Sequence, residues 1–157
     1  MTLVRKAGLT VVGLAVVALG AAAAFWFAAV PQPFSATEVA ARGEPDLNNG
    51  AYLFAMAGCA SCHAGKGAKA DDRLKLGGGQ SLVTPFGTFR VPNISPDADT
   101  GIGRWPLVDI VNAVTRGQAP DGAPYYPAFP YASYSRLKLA DAVDLAAYLK
   151  TLPAVSN

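Results

Sequence analysis

Cys59-Ala60-Ser61-Cys62-His63 constrains this chain more than any other stretch. It holds both cysteines and the only histidine of 157 residues. A C-x-x-C-H spacing is the attachment signal for a c-type haem. Each thiol adds to one vinyl group, and the two intervening residues let both sulfurs reach one edge of a macrocycle. The histidine follows directly, so its imidazole lies under the iron as proximal axial ligand. Other uses of these residues are weaker. A thioredoxin-like pair needs a βαβ setting, which the pattern lacks. Zinc wants about four ligands, and two Cys with one His fall short. A disulfide between Cys59 and Cys62 would leave His63 without a role.

Haem attachment of this kind takes place on the outer side of an energy-transducing membrane, so an export signal is expected. Met1 to Lys6 is short and carries Arg5 and Lys6, and Ala7 to Val30 then runs uncharged. A signal-peptide core is about 7–15 apolar residues, whereas a spanning helix needs roughly 20. The run is of spanning length. Phe25-Trp26-Phe27 stands at its far end, where an aromatic belt sits. Pro31 and Pro33 stop the helix beyond it. Arg5 and Lys6 hold the N-terminus in the cytoplasm by the positive-inside rule. The rival reading is cleavage at Ala22-Ala23-Ala24, which would leave Phe-Trp-Phe at a new N-terminus. An uncleaved anchor is the expectation, with residues 1–30 as cytoplasmic N-terminus and transmembrane helix.

The anchor accounts for much of the 52% hydrophobic content. Thirteen basic and eleven acidic side chains give a net charge of +2. Arg5 and Lys6 supply that excess, so the exported part is formally neutral. No basic patch with interleaved aromatics supports nucleic-acid binding. Lys66, Lys69, Arg73 and Lys75 follow the haem motif, interrupted by Asp71 and Asp72. They read as a solvated loop, or as a docking patch for an acidic partner beside the haem edge.

Residues 31–45, with three prolines and Gly43, read as a linker. Residues 46–157 read as one monohaem domain. Its first helix spans 47–58, with Asp46 or Asn48 as N-cap. Leu107, Ile110, Val111 and Val114 recur at i, i+3, i+4 and i+7, an amphipathic helix closed by Gly117. A third helix spans 139–151 and ends before Pro153. Between 64 and 104 the chain is rich in Gly, Pro, Asn and Asp without sustained periodicity. Loops that long usually wrap something, and here the haem is the thing to wrap. Gly77-Gly78-Gly79 lacks the Lys-Ser/Thr of a phosphate loop and reads as a flexible turn.

The order of first helix, C-x-x-C-H, loops, second helix and a last helix ending Ala-Tyr-Leu-Lys-Thr-Leu-Pro resembles a class I cytochrome c. The expected fold is all-α: a single-domain class I cytochrome c with long haem-wrapping loops, preceded by one transmembrane helix. In that family the first and last helices cross at a small residue and an aromatic, and Gly50 and Tyr148 look like that pair. The chain is similar above all to the cytochrome c subunits of bacterial membrane-bound alcohol, aldehyde and gluconate dehydrogenases. The stretches that carry this likeness are Thr84-Pro85-Phe86-Gly87-Thr88, Pro92-Asn93-Ile94-Ser95-Pro96-Asp97, Thr100-Gly101-Ile102-Gly103-Arg104-Trp105 and Tyr126-Pro127-Ala128-Phe129-Pro130-Tyr131.

One departure stands out. The resemblance implies a methionine in the last of these stretches as distal iron ligand, and this chain has Phe129 there. A phenyl ring cannot ligate iron. The only internal methionine is Met56, three residues before Cys59, where core packing competes with ligation. Lys, Tyr, Asn or water are the other candidates, and the choice stays open. Loss of a thioether ligand should lower the reduction potential. An open site would admit CO, NO or peroxide.

The haem propionates want donors. Arg104 and the Trp105 indole are candidates, and the resemblance supports Trp105 more. Asn93 either donates to a propionate or forms a turn. Tyr131 and its neighbours Tyr125, Tyr126 and Tyr134 pack or bond near the haem. Pro85 is expected to offer its carbonyl to His63 Nδ1.

These readings converge on a membrane-anchored carrier of single electrons with one haem c bound through Cys59 and Cys62. It is not itself an enzyme. It would sit in a bacterial inner membrane with its haem domain on the periplasmic side. Its redox partners would be a dehydrogenase or quinol-oxidising complex on one side and an oxidase or another cytochrome on the other. A ligand-binding sensor or peroxidase-like protein is a second reading, favoured by Phe129. A structural haem-bearing subunit of a membrane complex is a third.

Overall fold

The computed structural model describes residues 2–29 and 31–157, with side chains from Gly8 to Ala28 and from Pro31 onward. Met1, Val30 and the side chains of Arg5 and Lys6, on which the orientation expectation rests, lie outside the described residues. The chain divides into two compact units, Met1–Gln32 and Pro33–Asn157.

The first unit is one helix, α1 (Thr2–Ala29). Within it Gly8–Ala28 has a mean hydropathy of 2.3 over 21 residues, and none of that surface is buried. At a rise of 1.5 Å per residue this run is about 31 Å long, close to the thickness of a bilayer core.

The second unit contains α2 (Ala36–Ala40), α3 (Leu47–Ala57), α4 (Cys59–His63), a 3-10 turn at Ala70–Leu74, strands β1 (Ser81–Thr84) and β2 (Gly87–Arg90), α5 (Leu107–Arg116), α6 (Tyr131–Tyr134) and α7 (Leu139–Leu149). Its core is the crossing of α3 and α7. A Cβ on Gly50 would run into the backbone oxygen of Asp144 and stand 2.7 Å from Tyr148 Cβ, so only glycine lets the two helices approach this closely. Tyr148 then packs against Phe54, ring centroids 5.5 Å apart. Polar contacts pin the same crossing. Asn49 Nδ2 donates to Asp141 and Asp144 at 3.1 and 2.8 Å, and the Asp46 amide donates to Asp144 at 2.8 Å.

Asp46 is the N-cap of α3, its carboxylate accepting from the amides of Asn48 and Asn49. Helix α5 lays Ile110 and Val111 into the core and ends at Gly117 in the left-handed conformation, as its periodicity foretold. Val143, Leu145, Ala146 and Leu149 of α7 complete the buried cluster.

Two expectations need correction. Residues 34–40, inside the stretch read as a linker, fold onto the haem domain. Asn112 on α5 pairs with the Phe34 backbone like a strand, its Oδ1 accepting from the Phe34 amide at 2.8 Å and its Nδ2 donating to the Phe34 carbonyl at 2.9 Å. The Arg116 guanidinium lies 4.2 Å over the Phe34 ring. Ser35 and Glu38 form a capping box that starts α2, and Val39 enters the core. The prolines masked a helix start.

The domain is also not purely helical. Ser81–Thr84 and Gly87–Arg90 pair antiparallel, with Ser81 opposite Arg90 and Thr84 opposite Gly87. The Thr84 hydroxyl donates to Gly87 O and accepts from the Phe86 amide, which ties the two-residue turn. That turn is Pro-Phe, without the Asn-Gly or Asp-Gly that marks a hairpin in sequence.

Candidate haem-attachment site

Helix α3 runs straight into the motif through one residue. Gly58, at φ 69°, is both the C-cap of α3 and the N-cap of α4. The left-handed turn re-aims the chain, so Cys59 and Cys62 start one new helical turn that ends at His63. The Ser61 amide and hydroxyl both bond Gly58 O, at 2.9 and 2.7 Å, and fix this turn. Both thiols are free of any disulfide, Cys59 half-buried and Cys62 exposed. Burial pushes the Cys59 thiol up to about 11, with the neighbouring Cys62 adding to the rise, so Cys59 stays protonated at neutral pH.

The imidazole of His63 is oriented from the opposite side. Its Nδ1 lies 2.9 Å from the carbonyl oxygen of Pro92. A carbonyl only accepts, so Nδ1 carries the proton and Nε2 keeps its lone pair for a metal. Burial holds the His63 pKa below the ordinary value, with the Pro92 bond working in the other direction. The ring is therefore neutral, the form that ligates iron. The expected carbonyl was that of Pro85. It lies instead in the hairpin turn, and the loop beyond β2 brings Pro92 to the ring.

The glycine run explains how. The Gly78 amide donates to His63 O at 2.8 Å, and the Gly79 amide donates to Val91 O at 2.9 Å. A Cβ on Gly78 would collide with the carbonyls of Pro92 and Val91, and its φ is +69°. The run expected as a flexible turn is thus a close-packed spacer between the motif and the Pro92 loop. Gln80 continues the ladder, its Nε2 donating to Cys62 O and Ala64 O at 3.0 and 2.6 Å. Sequence reading missed both Pro92 and Gln80. Only the pairing of distant loops reveals them.

The Tyr126–Tyr134 stretch forms an aromatic cluster tied to the end of α3. The Tyr134 hydroxyl donates to Ala57 O at 2.8 Å, two residues before Cys59. Burial raises the Tyr134 pKa first, with Cys59 and then Cys62 adding to the rise. Phe129 stacks on Tyr134 with centroids 6.0 Å apart, and Tyr125 and Tyr131 flank it at 6.4 Å each. The Tyr131 ring also covers Gly117, where a Cβ would meet three ring atoms at 2.7 Å or less. Phe89 of the hairpin stacks on Tyr126 at 4.6 Å, joining hairpin and aromatic loop.

Other candidates are placed elsewhere. Met56 is 70% exposed on α3, beside Leu53, Leu137 and Tyr134. Arg104 pairs with Asp99 at 2.6 Å. Asn93 spends both amide hydrogens, on Thr100 Oγ1 at 2.9 Å and Val155 O at 2.6 Å, and its Oδ1 accepts from Ser95 N. No hydrogen is left for a propionate, and the turn-forming role is the one it fills. Trp105 is half-buried against the core, and its carbonyl accepts from Lys150 Nζ at 3.0 Å. Lys66 and Arg73 flank one shallow depression with Ala60, Ser61 and Gln80, so basic side chains do stand beside the motif. Lys75 is taken by Asp72 at 2.9 Å.

The donor set fits a covalent haem c. Two thiols stand on one helical turn, where they could bond one macrocycle edge, and a neutral imidazole with a free Nε2 follows them. The aromatic cluster is tied to the end of α3 through Tyr134 and Ala57 O.

Comparison with known proteins agrees. A family described as cytochrome c matches residues 47–153. A diheme cytochrome c-type protein of Cereibacter sphaeroides is 45% identical over 141 residues, 90% of this chain and 47% of that protein. A match of that length runs into α1. The fructose dehydrogenase cytochrome subunit of Gluconobacter japonicus is 37% identical over 120 residues, 76% of this chain and 24% of that protein. The gluconate 2-dehydrogenase cytochrome c subunit of Pantoea cypripedii is 38% identical over 102 residues, 65% and 22%. The chain spans about half the length of the first of these relatives and about a quarter of the other two.

Proposed function

This chain belongs to the cytochrome c family, and from that premise we propose that it is a membrane-anchored monohaem electron carrier serving a dehydrogenase-linked or respiratory chain. Haem iron supplies a one-electron ferric/ferrous couple when bound. Cys59 and Cys62 would hold the group covalently, and His63 Nε2 would ligate it. Pro92 O fixes the imidazole tautomer, and Gly78 and Gln80 keep the motif rigid, so little protein reorganisation accompanies a change of charge. The observation that carries this reading is the 2.9 Å contact from His63 Nδ1 to Pro92 O, which leaves Nε2 as the free donor.

The chain's part is electron transfer and not substrate turnover, as for the dehydrogenase cytochrome subunits it resembles. One C-x-x-C-H motif supports one haem per chain. The apolar length of Gly8–Ala28 supports a single-pass anchor, with the haem domain on the periplasmic face of a bacterial inner membrane. Partners would be a dehydrogenase or quinol-oxidising complex and a later acceptor. Lys66 and Arg73 beside the motif suit an acidic partner surface.

The test is expression in a cytochrome c-maturing host, with membrane fractionation and haem staining after denaturing electrophoresis. Haem should stay on the polypeptide and sediment with membranes. Pyridine haemochrome should give one haem per chain. A Cys59→Ala/Cys62→Ala variant that still carried covalent haem would sink the reading, and so would full-length protein recovered without haem.

A further inference from the structure

Resting on that haem reading, we infer that the segment Val155–Asn157, which follows α7, positions the His63 imidazole and so tunes the reduction potential of the iron it serves. Two branches of contacts carry this. On one branch, Asn157 Nδ2 donates to Gly77 O at 2.7 Å, and the amide of the next residue, Gly78, donates to His63 O at 2.8 Å. On the other, Val155 O accepts from Asn93 Nδ2 at 2.6 Å. The residue before Asn93 is Pro92, whose carbonyl meets His63 Nδ1 at 2.9 Å. Both branches end on His63, one at its backbone and one at its ring, so the segment closes a ring of bonded residues around it.

The clasp is well built. Ser95 is fully buried, and its hydroxyl accepts from the Val155 amide at 3.0 Å and donates to Val155 O at 3.2 Å. The Thr100 hydroxyl oxygen accepts from Asn93 Nδ2 at 2.9 Å and from the Asn157 amide at 3.2 Å. The segment lies directly on the glycine run. A Cβ on Gly77 would stand 2.9 Å from Val155 Cγ1, and one on Gly79 would stand 3.0 Å from Asn157 Nδ2. Side chains there would lift the segment away.

The two loops that the segment joins need such a partner. Residues 75–80 and 91–106 form neither helix nor strand, so their backbone keeps its place only through bonds to other parts of the chain. The Ile94 amide donates to Leu76 O at 3.0 Å and the Gly79 amide to Val91 O at 2.9 Å, which joins the loops directly. Gly77 and Asn93 lie between those anchor points, so Val155 and Asn157 hold the middle of the joint. The consequence for the iron is electronic. A carbonyl that accepts the Nδ1 proton makes the imidazole a stronger electron donor, which favours ferric iron and lowers the potential. Loosening Pro92 weakens that donation and raises the potential.

The experiment uses the full-length haem protein in detergent and reads its midpoint potential beside amide hydrogen exchange. Asn157→Ala removes the donor to Gly77 O. It should raise the ferrous share at a fixed potential about threefold, an upward shift of about 30 mV at 59 mV per tenfold for one electron. Exchange at the Gly78 and Ile94 amides should rise about tenfold. Asn157→Gln keeps an amide donor and should stay near the parent on both readings. Ser95→Ala loosens Val155 instead and should shift the potential in the same direction. It also carries the test should Asn157→Ala fail to mature. Gly50→Ala is the control: it strains the α3–α7 crossing and should lower the melting temperature without moving the potential. Asn157 and Ser95 variants that melt earlier but keep the parent potential overturn this inference and leave the carrier reading standing. Parent protein without covalent haem overturns both.

Discussion

The Nδ1 of His63 and the carbonyl oxygen of Pro92 are 2.9 Å apart, across 29 residues of sequence. The contact uses a backbone atom, so it survives loss of the proline ring. Pro92→Ala should keep the haem spectrum of the parent. It should cost within about 1 kcal/mol, through added freedom of the unfolded chain. Thermal melting and the Soret maximum of the pair check this.

Gly78 is where the same contact is vulnerable. Its φ is +69°, and a Cβ there strikes the Pro92 and Val91 carbonyls. Gly78→Ala should destabilise by about 1–3 kcal/mol. It should also shift the haem absorption, since Pro92 must retreat from His63. A spectrum identical to the parent would show that the loop relaxes without disturbing the ring.

The helix crossing makes a separate demand. Gly50→Ala places its methyl on Asp144 O and 2.7 Å from Tyr148 Cβ. It should cost about 1–3 kcal/mol in urea unfolding, by forcing α3 from α7. The motif should keep its local geometry, because Gly58 and not Gly50 sets the entry to α4.

Lys150 holds the loop that carries Trp105. Its ammonium donates to the carbonyls of Ile102, Gly103 and Trp105. Lys150→Met keeps the packing and removes the donors. A loss of about 1–2 kcal/mol is expected. Hydrogen exchange should rise at the amides of residues 102–105 and not at α3.

Asp97 adds a pH dependence. Its carboxylate is held below the usual range by the Thr100 amide first, then the Thr100 hydroxyl, with the Asp99 amide contributing. As pH falls, the unfolded chain therefore takes up this proton first. The stabilisation is complete above the ordinary aspartate value of 3.8 and fades as pH drops below it toward the folded value. The melting-temperature gap between parent and Asp97→Asn should be constant from pH 6 to about pH 5 and close in more acid solution. A gap that widens in acid would refute the sign.

The three longest helices of the haem domain, α3, α5 and α7, were legible because each carries its own local signal. Asp46 caps α3, Gly117 stops α5, and a 3.6-residue period marks the buried face of α5. The motif was legible for the same reason: two thiols and an imidazole stand within five adjacent residues. Residues 34–40 were misread because prolines outweighed the capping box at Ser35, and because Asn112, their partner, is 78 residues away. The hairpin was missed because its Pro-Phe turn is stabilised by the Thr84 hydroxyl and not by a turn dipeptide.

Sequence alone determined that the chain is a c-type haem protein with an apolar helix of spanning length, and that no methionine stands in its aromatic loop. Those facts are written in contiguous residues and need no folding to be read. The tertiary structure decided which carbonyl orients His63, that Asn93 is spent on Val155 and Thr100, and that Tyr134 binds Ala57. Each of those depends on which distant loops share a surface. Hydrogen-bond geometry and excluded volume settle that only after the core has formed.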